Sequence, residues 1–334
     1  MPRPLRSSSR GRRPLSRLES YGALRTLATS CAGVREGERA LIVTDTAAAG
    51  GVVDALASVL AALGASVMTV SSDPADLPGD DPPAAVGSAM LQADVVFELT
   101  SVFIGSCQAR RDACAAGVRY LTVPGLSWQT LRPGGPFSAD FKVLGDHAHR
   151  LATLFDDADQ FRLTSSAGTD LIGSFEGRRG RPLWGVATEA GGYAAPPDIE
   201  VGASPVEGTT SGRVVVDGSL LFLGPDQLQS PVELSFEAGR LVGIDGREGW
   251  RLRDALDRSG DDRMSMIAEV SIGLNPSSRP GGSALELEGI VGGAHVAVGN
   301  NIAYGGSNEA RSHIDCVLLE GRLELDGVAV EPHL

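Results

Sequence analysis

His313 and Asp315 lie two residues apart in SHIDCVLL, a run whose composition predicts a β-strand. Positions two apart on a strand share a face, so this pair presents an imidazole and a carboxylate side by side. Such a pair serves a divalent cation, or a histidine oriented by an aspartate. By itself it is also a common structural hydrogen bond. His295 sits in AHVAVGNN, among small residues that leave room beside the backbone; its plain alternative is a satisfied core histidine. Glu269 in MIAEVSIGLNP and Glu200 in PPDIEVGASP are carboxylates inside apolar strands, where burial without a partner is costly. Together these stretches collect two imidazoles and three carboxylates. That mixed nitrogen and oxygen set suits Zn²⁺, Mn²⁺, Co²⁺ or Fe²⁺, as one ion or two. The other histidines are weaker candidates. His147 and His149, two apart on a helix, face different directions and are expected at the surface. His333, next to the C-terminus, is expected to fray.

The elements that must position these groups fall into two textures. From about 38 to 165, short apolar runs alternate with amphipathic stretches. Strands are predicted at 39–45, 66–71, 94–100 and 118–123, and helices at 51–63, 83–92, 107–116 and 140–155. Repeated strand–helix units imply a mainly parallel sheet wrapped by helices, an α/β scaffold domain over 21–164. The TAAAGG that follows Asp45 matches neither GxGxxG nor GxxxxGK[ST], so the sheet is expected to be scaffold or one wall of a cleft. After about 165, short strands alternate with Gly, Asn, Asp and Ser turns. This predicts a β-rich α+β metal-binding domain over 165–334, with one helix near 251–258 and an Ala-Gly hairpin in EAGRLVGIDG. Arg178, Arg179 and Trp184, in GRRGRPLWG, are predicted to sit in an exposed loop, with a substrate entrance as the second choice.

Composition narrows the partners. The 334-residue chain is long enough for two domains, and its net charge of −13 argues against nucleic acid or an anionic membrane. The one basic stretch, Arg3, Arg6, Arg10, Arg12, Arg13 and Arg17 amid Ser, Pro and Gly, predicts a disordered tail over 1–20. That start has no apolar core of the kind a secretory signal needs, and no apolar run is long enough to span a bilayer. The four cysteines form no CxxC, and Cys316 is expected to point into the core on the face opposite Asp315. The expected setting is cytoplasmic and the expected partner a small molecule or small peptide.

The order of AGTDL (167–171), PPDIEVGASPVEG (196–208), AEVSIGLNP (268–276), HVAVGNN (295–301) and HIDC (313–316) resembles the M29 metalloaminopeptidases and their aminopeptidase-like relatives. Those relatives include the iron-dependent 2,5-dihydroxypyridine dioxygenases. The peptidase branch implies a homodimer and a two-metal cluster. Glu200, Glu269, His295, His313 and Asp315 match its Glu, Glu, His, His and Asp ligands. In such a cluster the metals polarise a carbonyl and activate water, and a nearby carboxylate moves the proton. Where the peptidases pair two glutamates this chain has Ile199-Glu200, so Glu200 is a candidate for both ligand and proton carrier, with Asp198 as a substitute. Where they place a tyrosine this chain has Ile302, and Tyr304 nearby becomes the candidate donor to the reacting carbonyl. The dioxygenase branch implies one Fe²⁺ held by two His, an Asp and a Ser. His313 and Asp315 match it, while Glu269 and Ala297 occupy the other two positions.

Three readings follow. The leading one is a metal-dependent hydrolase cleaving an amide of a small peptide or peptide-like metabolite. The second is a non-haem Fe(II) ring-cleaving dioxygenase acting on a hydroxylated aromatic or N-heterocycle. The third is a binding homologue without catalysis, motivated by Ile199 and Ile302.

Overall fold

A computed structural model describes residues 17–224 and 226–334. Most of the predicted basic tail lies outside them, and helix α1 (Arg17–Thr26) occupies positions 17–20 of it. The apolar runs of the first half become parallel strands because each is followed by a crossover helix. In chain order these are β1 (Arg39–Asp45), α2 (Gly50–Ala62), β2 (Ser66–Ser72), α3 (Ala84–Met90), β3 (Val95–Leu99), α4 (Gln108–Ala115) and β4 (Arg119–Thr122). Every residue of β3 and β4 is buried, as expected of strands covered on both faces. Gly64 ends α2 at φ 85°, where a Cβ would lie 2.8 Å from the Glu36 side chain. Helix α5 (Phe141–Asp156) starts where the Asp140 side chain accepts from the Lys142 and Val143 amides. It turns Phe141, Leu144, Ala148, Leu151 and Phe155 inward.

The second half is built from short strands, antiparallel except for Tyr193–Ala194. They are β5 (Gln160–Thr164), β6 (Asp170–Ser174), β7 (Arg181–Leu183), β8 (Tyr193–Ala194), β9 (Glu200–Ala203), β10 (Ser211–Val216), β11 (Ser219–Leu220), β12 (Val232–Glu237) and β13 (Arg240–Asp245). Helix α6 (Trp250–Ser259), β14 (Ile267–Gly273), helix α7 (Ala284–Glu288), β15 (Ala294–Gly299), β16 (His313–Leu318), β17 (Arg322–Leu325) and β18 (Val328–Ala329) complete the chain. One sheet has the order β13-β12-β10-β6-β5-β17-β18 and the other β11-β16-β15-β14-β9-β7. The predicted Ala-Gly hairpin joins β12 to β13, with φ 46° at Ala238 and 77° at Gly239, as a two-residue hairpin turn requires.

Two details differ from the sequence-based division. Strand β5 precedes residue 165 yet belongs to an antiparallel sheet, and β8 leaves the second half to pair in parallel with β4. The parallel sheet therefore runs β2-β1-β3-β4-β8. One apolar cluster also crosses the division, from Leu27 and Phe97 through Leu144 and Phe155 to Val201, Val270 and Val296. At about 1.5–3 kcal/mol for each large side chain fully buried, this shared core ties the halves together. Among the described residues no helix is long and apolar enough to cross a membrane.

Candidate metal centre

The register of the six-stranded sheet brings the predicted residues to one face. Glu269 on β14 stands opposite Ala297 on β15, which stands opposite Asp315 on β16. In the next row Ser271 faces His295, and beyond the other end Gly299 faces His313. Glu200 enters from β9, opposite Gly273. Cross-strand partners share a face, so the small side chain of Ala297 leaves open space between two carboxylates. Cys316, one residue on, packs into the core on the other side as expected.

The ligand atoms form two triads sharing one carboxylate. His295 Nε2 lies 3.1 Å from Glu200 Oε2 and 3.3 Å from Glu269 Oε1. His313 Nε2 lies 3.2 Å from Glu269 Oε2 and 3.1 Å from Asp315 Oδ1. Glu200–Glu269–His295 and Glu269–His313–Asp315 each offer ligand atoms within 4.8 Å of one another. Glu269 is fully buried and faces one imidazole with each oxygen.

Each Nε2 faces two carboxylates, and one N–H cannot serve both. His313 Nδ1 lies 2.7 Å from the Asn300 carbonyl, which only accepts, so Nδ1 carries the proton and Nε2 is free to be a ligand. Glu200 Oε2, Glu269 Oε2, Asp198 Oδ1 and His295 Nδ1 are buried without a hydrogen-bond partner. Such atoms are costly unless something else satisfies them.

Charge balance points the same way. Asp198 and Glu288 join the cluster, giving five carboxylates against two imidazoles. With all five ionised the excess would be negative even with both rings protonated, so the buried cluster retains protons instead. Burial, then the Glu200 charge, pushes the Asp198 carboxyl far above its usual range, and burial, then Asp315, does the same to Glu288. Burial also raises Glu200, against the pull of His295. Burial would raise Glu269 too, but hydrogen bonds from both imidazoles hold it at about 2. Burial disfavours charge on His295 and His313, yet Glu200 and Asp315 respectively, with Glu269, lift both rings well above the ordinary histidine value. A buried nest of hard oxygen donors and two imidazole nitrogens, able to exchange its retained protons for other positive charge, fits one or two divalent cations.

Tyr304 reaches this centre, while Ile302 lines the same cavity and is 49% exposed. The Tyr304 hydroxyl donates to Glu200 Oε1 at 3.1 Å, and its ring stacks on His313 with centroids 5.5 Å apart. Its loop is anchored by Glu207, whose Oε1 accepts from Asn301 Nδ2 at 3.0 Å and the Ser307 amide at 2.7 Å. Arg178 pairs with the same carboxylate and also donates to the Gly305 carbonyl. Arg178 is thus a loop anchor, Arg179 is exposed and Trp184 packs against His149 with centroids 4.6 Å apart. None of the three lines the cavity; from that segment Arg181 does. His147, expected at the surface, is buried, with Nε2 3.2 Å from the Pro332 carbonyl. The C-terminal segment covers it, a contact 185 residues away in sequence.

The centre lies in a cavity of about 650 Å³. One wall comes from the first half, through Gly79, Phe103, Gly105, Ser106 and Arg110. Loops and a helix that follow strands β2 and β3 thus form one wall of a cleft, with the parallel sheet as their scaffold. Phe103 stacks on Phe222 of the second half, with centroids 5.6 Å apart. Sequence reasoning missed Glu288 as a site residue. It sits on five-residue α7, beside Glu286, and only the tertiary structure tells which glutamate faces the centre. Glu286 instead pairs with buried Arg132.

Residues 23–332 match the profile of the 2,5-dihydroxypyridine 5,6-dioxygenase (NicX) family. A sequence search of curated proteins finds no match. Among solved structures, the chain is similar to 2,5-dihydroxypyridine dioxygenase from Pseudomonas putida KT2440, with a TM-score of 0.73 and 19% identity over 95% of this chain and 96% of that one. It is also similar to wild-type AmpT from Thermus thermophilus, an M29 aminopeptidase, with a TM-score of 0.65 and 17% identity over 94% and 98% of the two chains. The match along nearly the whole sequence is decisive: this chain belongs to the 2,5-dihydroxypyridine 5,6-dioxygenase family.

Proposed function

We propose that this family member is a two-metal hydrolase that cleaves an amide of a small peptide or peptide-like metabolite. One observation carries the reading: Glu269 is shared between two triads, each with its own histidine. A carboxylate that offers one oxygen to each of two histidine-bearing triads could serve two ions at once, and function is argued from the site, since one fold hosts many chemistries. A bound ion pair supplies Lewis acidity toward a carbonyl and a water activated near neutral pH. The chain does the rest. Glu200, buried beside His295, would serve as a ligand, and Asp198 and Glu288 would be left to carry the proton once bound cations lower their carboxyls from the raised values of the free protein. Tyr304, its hydroxyl on Glu200 in the free protein, turns to donate to the developing oxyanion. Phe103, Phe222 and Leu285 supply the apolar wall.

Family membership favours a second reading, an Fe(II) ring-cleaving dioxygenase acting on a hydroxylated N-heterocycle. The stacked Phe103–Phe222 pair is a flat surface suited to such a ring. The ligand set is what puts this reading second, because a carboxylate (Glu269) and a methyl group (Ala297) stand where iron ligands are expected.

Metal analysis of anaerobically purified protein separates them. Two equivalents of zinc, manganese or cobalt, falling to one or none in Glu269→Gln, support the hydrolase. One equivalent of iron, with O₂ uptake on 2,5-dihydroxypyridine, would overturn it in favour of the dioxygenase. No uptake of any metal, even on reconstitution, would leave a binding protein.

A further inference from the structure

The cavity holds charge that the metal-centre reading does not use. Arg110 and Arg181 both line it, and neither has a carboxylate within ion-pair distance among the described residues. In a chain of net charge −13 that is unusual. The other cavity arginines are occupied. Arg311 grips Asp80 with Nε and Nη2, and Arg111 spends Nε and Nη2 on Gln108 and Nη1 on the Ser106 carbonyl.

Arg110 and Arg181 are held at one end only. Arg110 Nε donates to the Gly105 carbonyl at 2.6 Å, and its guanidinium carbon lies 4.5 Å from the Tyr193 ring centre. Arg181 Nη1 donates to the Ala303 carbonyl, and its guanidinium carbon lies 4.6 Å from the Tyr304 ring centre. Both guanidinium groups and the two rings that carry them line one and the same cavity. A guanidinium seated on an aromatic face keeps its geometry, so its free N–H groups are preorganised for a planar anion. The Phe103–Phe222 stack lines the same space and offers a flat apolar surface.

We infer that Arg110 and Arg181 form an anion clamp, and that the substrate is a small molecule carrying a carboxylate on an apolar or aromatic body. The inference rests on the cavity being the substrate site and holds for either chemistry at the metal centre. Tyr304 connects the two parts: its ring carries Arg181 and its hydroxyl meets Glu200, so Arg181 would hold the anionic end of the substrate beside the metal-binding cluster.

The test is calorimetric titration of the full chain with benzoate and with its neutral analogue benzamide, in metal-loaded and chelator-treated protein. Benzoate is expected to bind at least about tenfold more tightly than benzamide in both forms. Arg110→Gln and Arg181→Gln are each expected to weaken benzoate about tenfold while leaving benzamide unchanged, and Arg110→Lys to recover part of the loss. Equal affinity for the two probes, or wild-type benzoate affinity in the double Gln variant, would overturn the clamp. Benzoate binding that needs metal and ignores both arginines would overturn it too, while leaving the metal reading intact. A benzoate preference that depends on both arginines in a protein that takes up no metal would support the clamp and sink the metal reading.

Discussion

Replacing Arg132 with methionine tests how the site's shortest helix is held. Helix α7 has five residues, too few to be stable by its own hydrogen bonds. It carries Glu288 into the cluster, and Glu286 ties it to the first half of the chain. Arg132 Nη1 donates to Glu286 Oε2 at 2.9 Å and Nη2 pairs with Oε1, a bidentate contact with side-chain exposures of 6% and 0%. Without Arg132, the buried carboxylate keeps one other donor, the Arg279 amide at 3.1 Å. Stranding one partner of a buried pair costs about 3–5 kcal/mol. In a protein of this size that lowers Tm by about 4–7 °C. The double variant Arg132→Met, Glu286→Leu removes both charges at similar volume and is expected to recover most of the loss. Calorimetric melting and urea midpoints of the three variants make the comparison, with metal uptake as a second readout because Glu288 moves with α7. A loss below about 1 kcal/mol in Arg132→Met, typical of exposed pairs, would refute the reasoning. So would a double variant less stable than either single one.

Other perturbations probe the centre more directly. Gly202→Ala would place a Cβ 1.6 Å from Ser271 Oγ, whose hydroxyl donates to Glu269, so metal binding should be lost by atomic absorption while circular dichroism stays near wild type. Tyr304→Phe keeps the stack on His313 but removes the donor, and kcat should fall about 10²-fold or more at unchanged metal content. An unchanged kcat would remove Tyr304 from the chemistry. Glu207 gives a pH signature. Burial would raise its carboxyl, but the Ser307 amide, Asn301 and Arg178 hold it at about 2. A carboxyl depressed below its unfolded value stabilises the fold fully above about pH 4.3, and that contribution fades as pH falls toward about 2. Melting temperature should therefore fall more steeply from about pH 5 to about pH 3 in wild type than in Glu207→Gln, and parallel curves would exclude the linkage.

Much of the site was legible because strands repeat every two residues. His313 and Asp315 share a face by spacing alone, and Glu269 and Glu200 stood out as carboxylates in apolar runs. Register across four strands is not a local property, so the resemblance, and not the spacing, grouped these residues into one cluster. The parallel sheet was legible from its repeated strand–helix rhythm, with boundaries shifted by a residue or so. What remained hidden was non-local. His147 is buried by Pro332, and Glu286 and Glu288 are sorted by Arg132. Arg178 was hidden for the same reason, since its carboxylate partner lies 29 residues away.

Strand β8 bears on whether the two halves can be exchanged as modules. It comes from beyond residue 190, yet it supplies the outer edge of the sheet that begins at β1. A fragment ending near residue 165 would leave the amides and carbonyls of fully buried β4 exposed as a bare rim, open to pairing with other chains. Shuffling a foreign catalytic half onto this scaffold would therefore need a graft of Tyr193–Ala194 and its flanks, and proteolysis between the halves should yield aggregates in place of two soluble pieces.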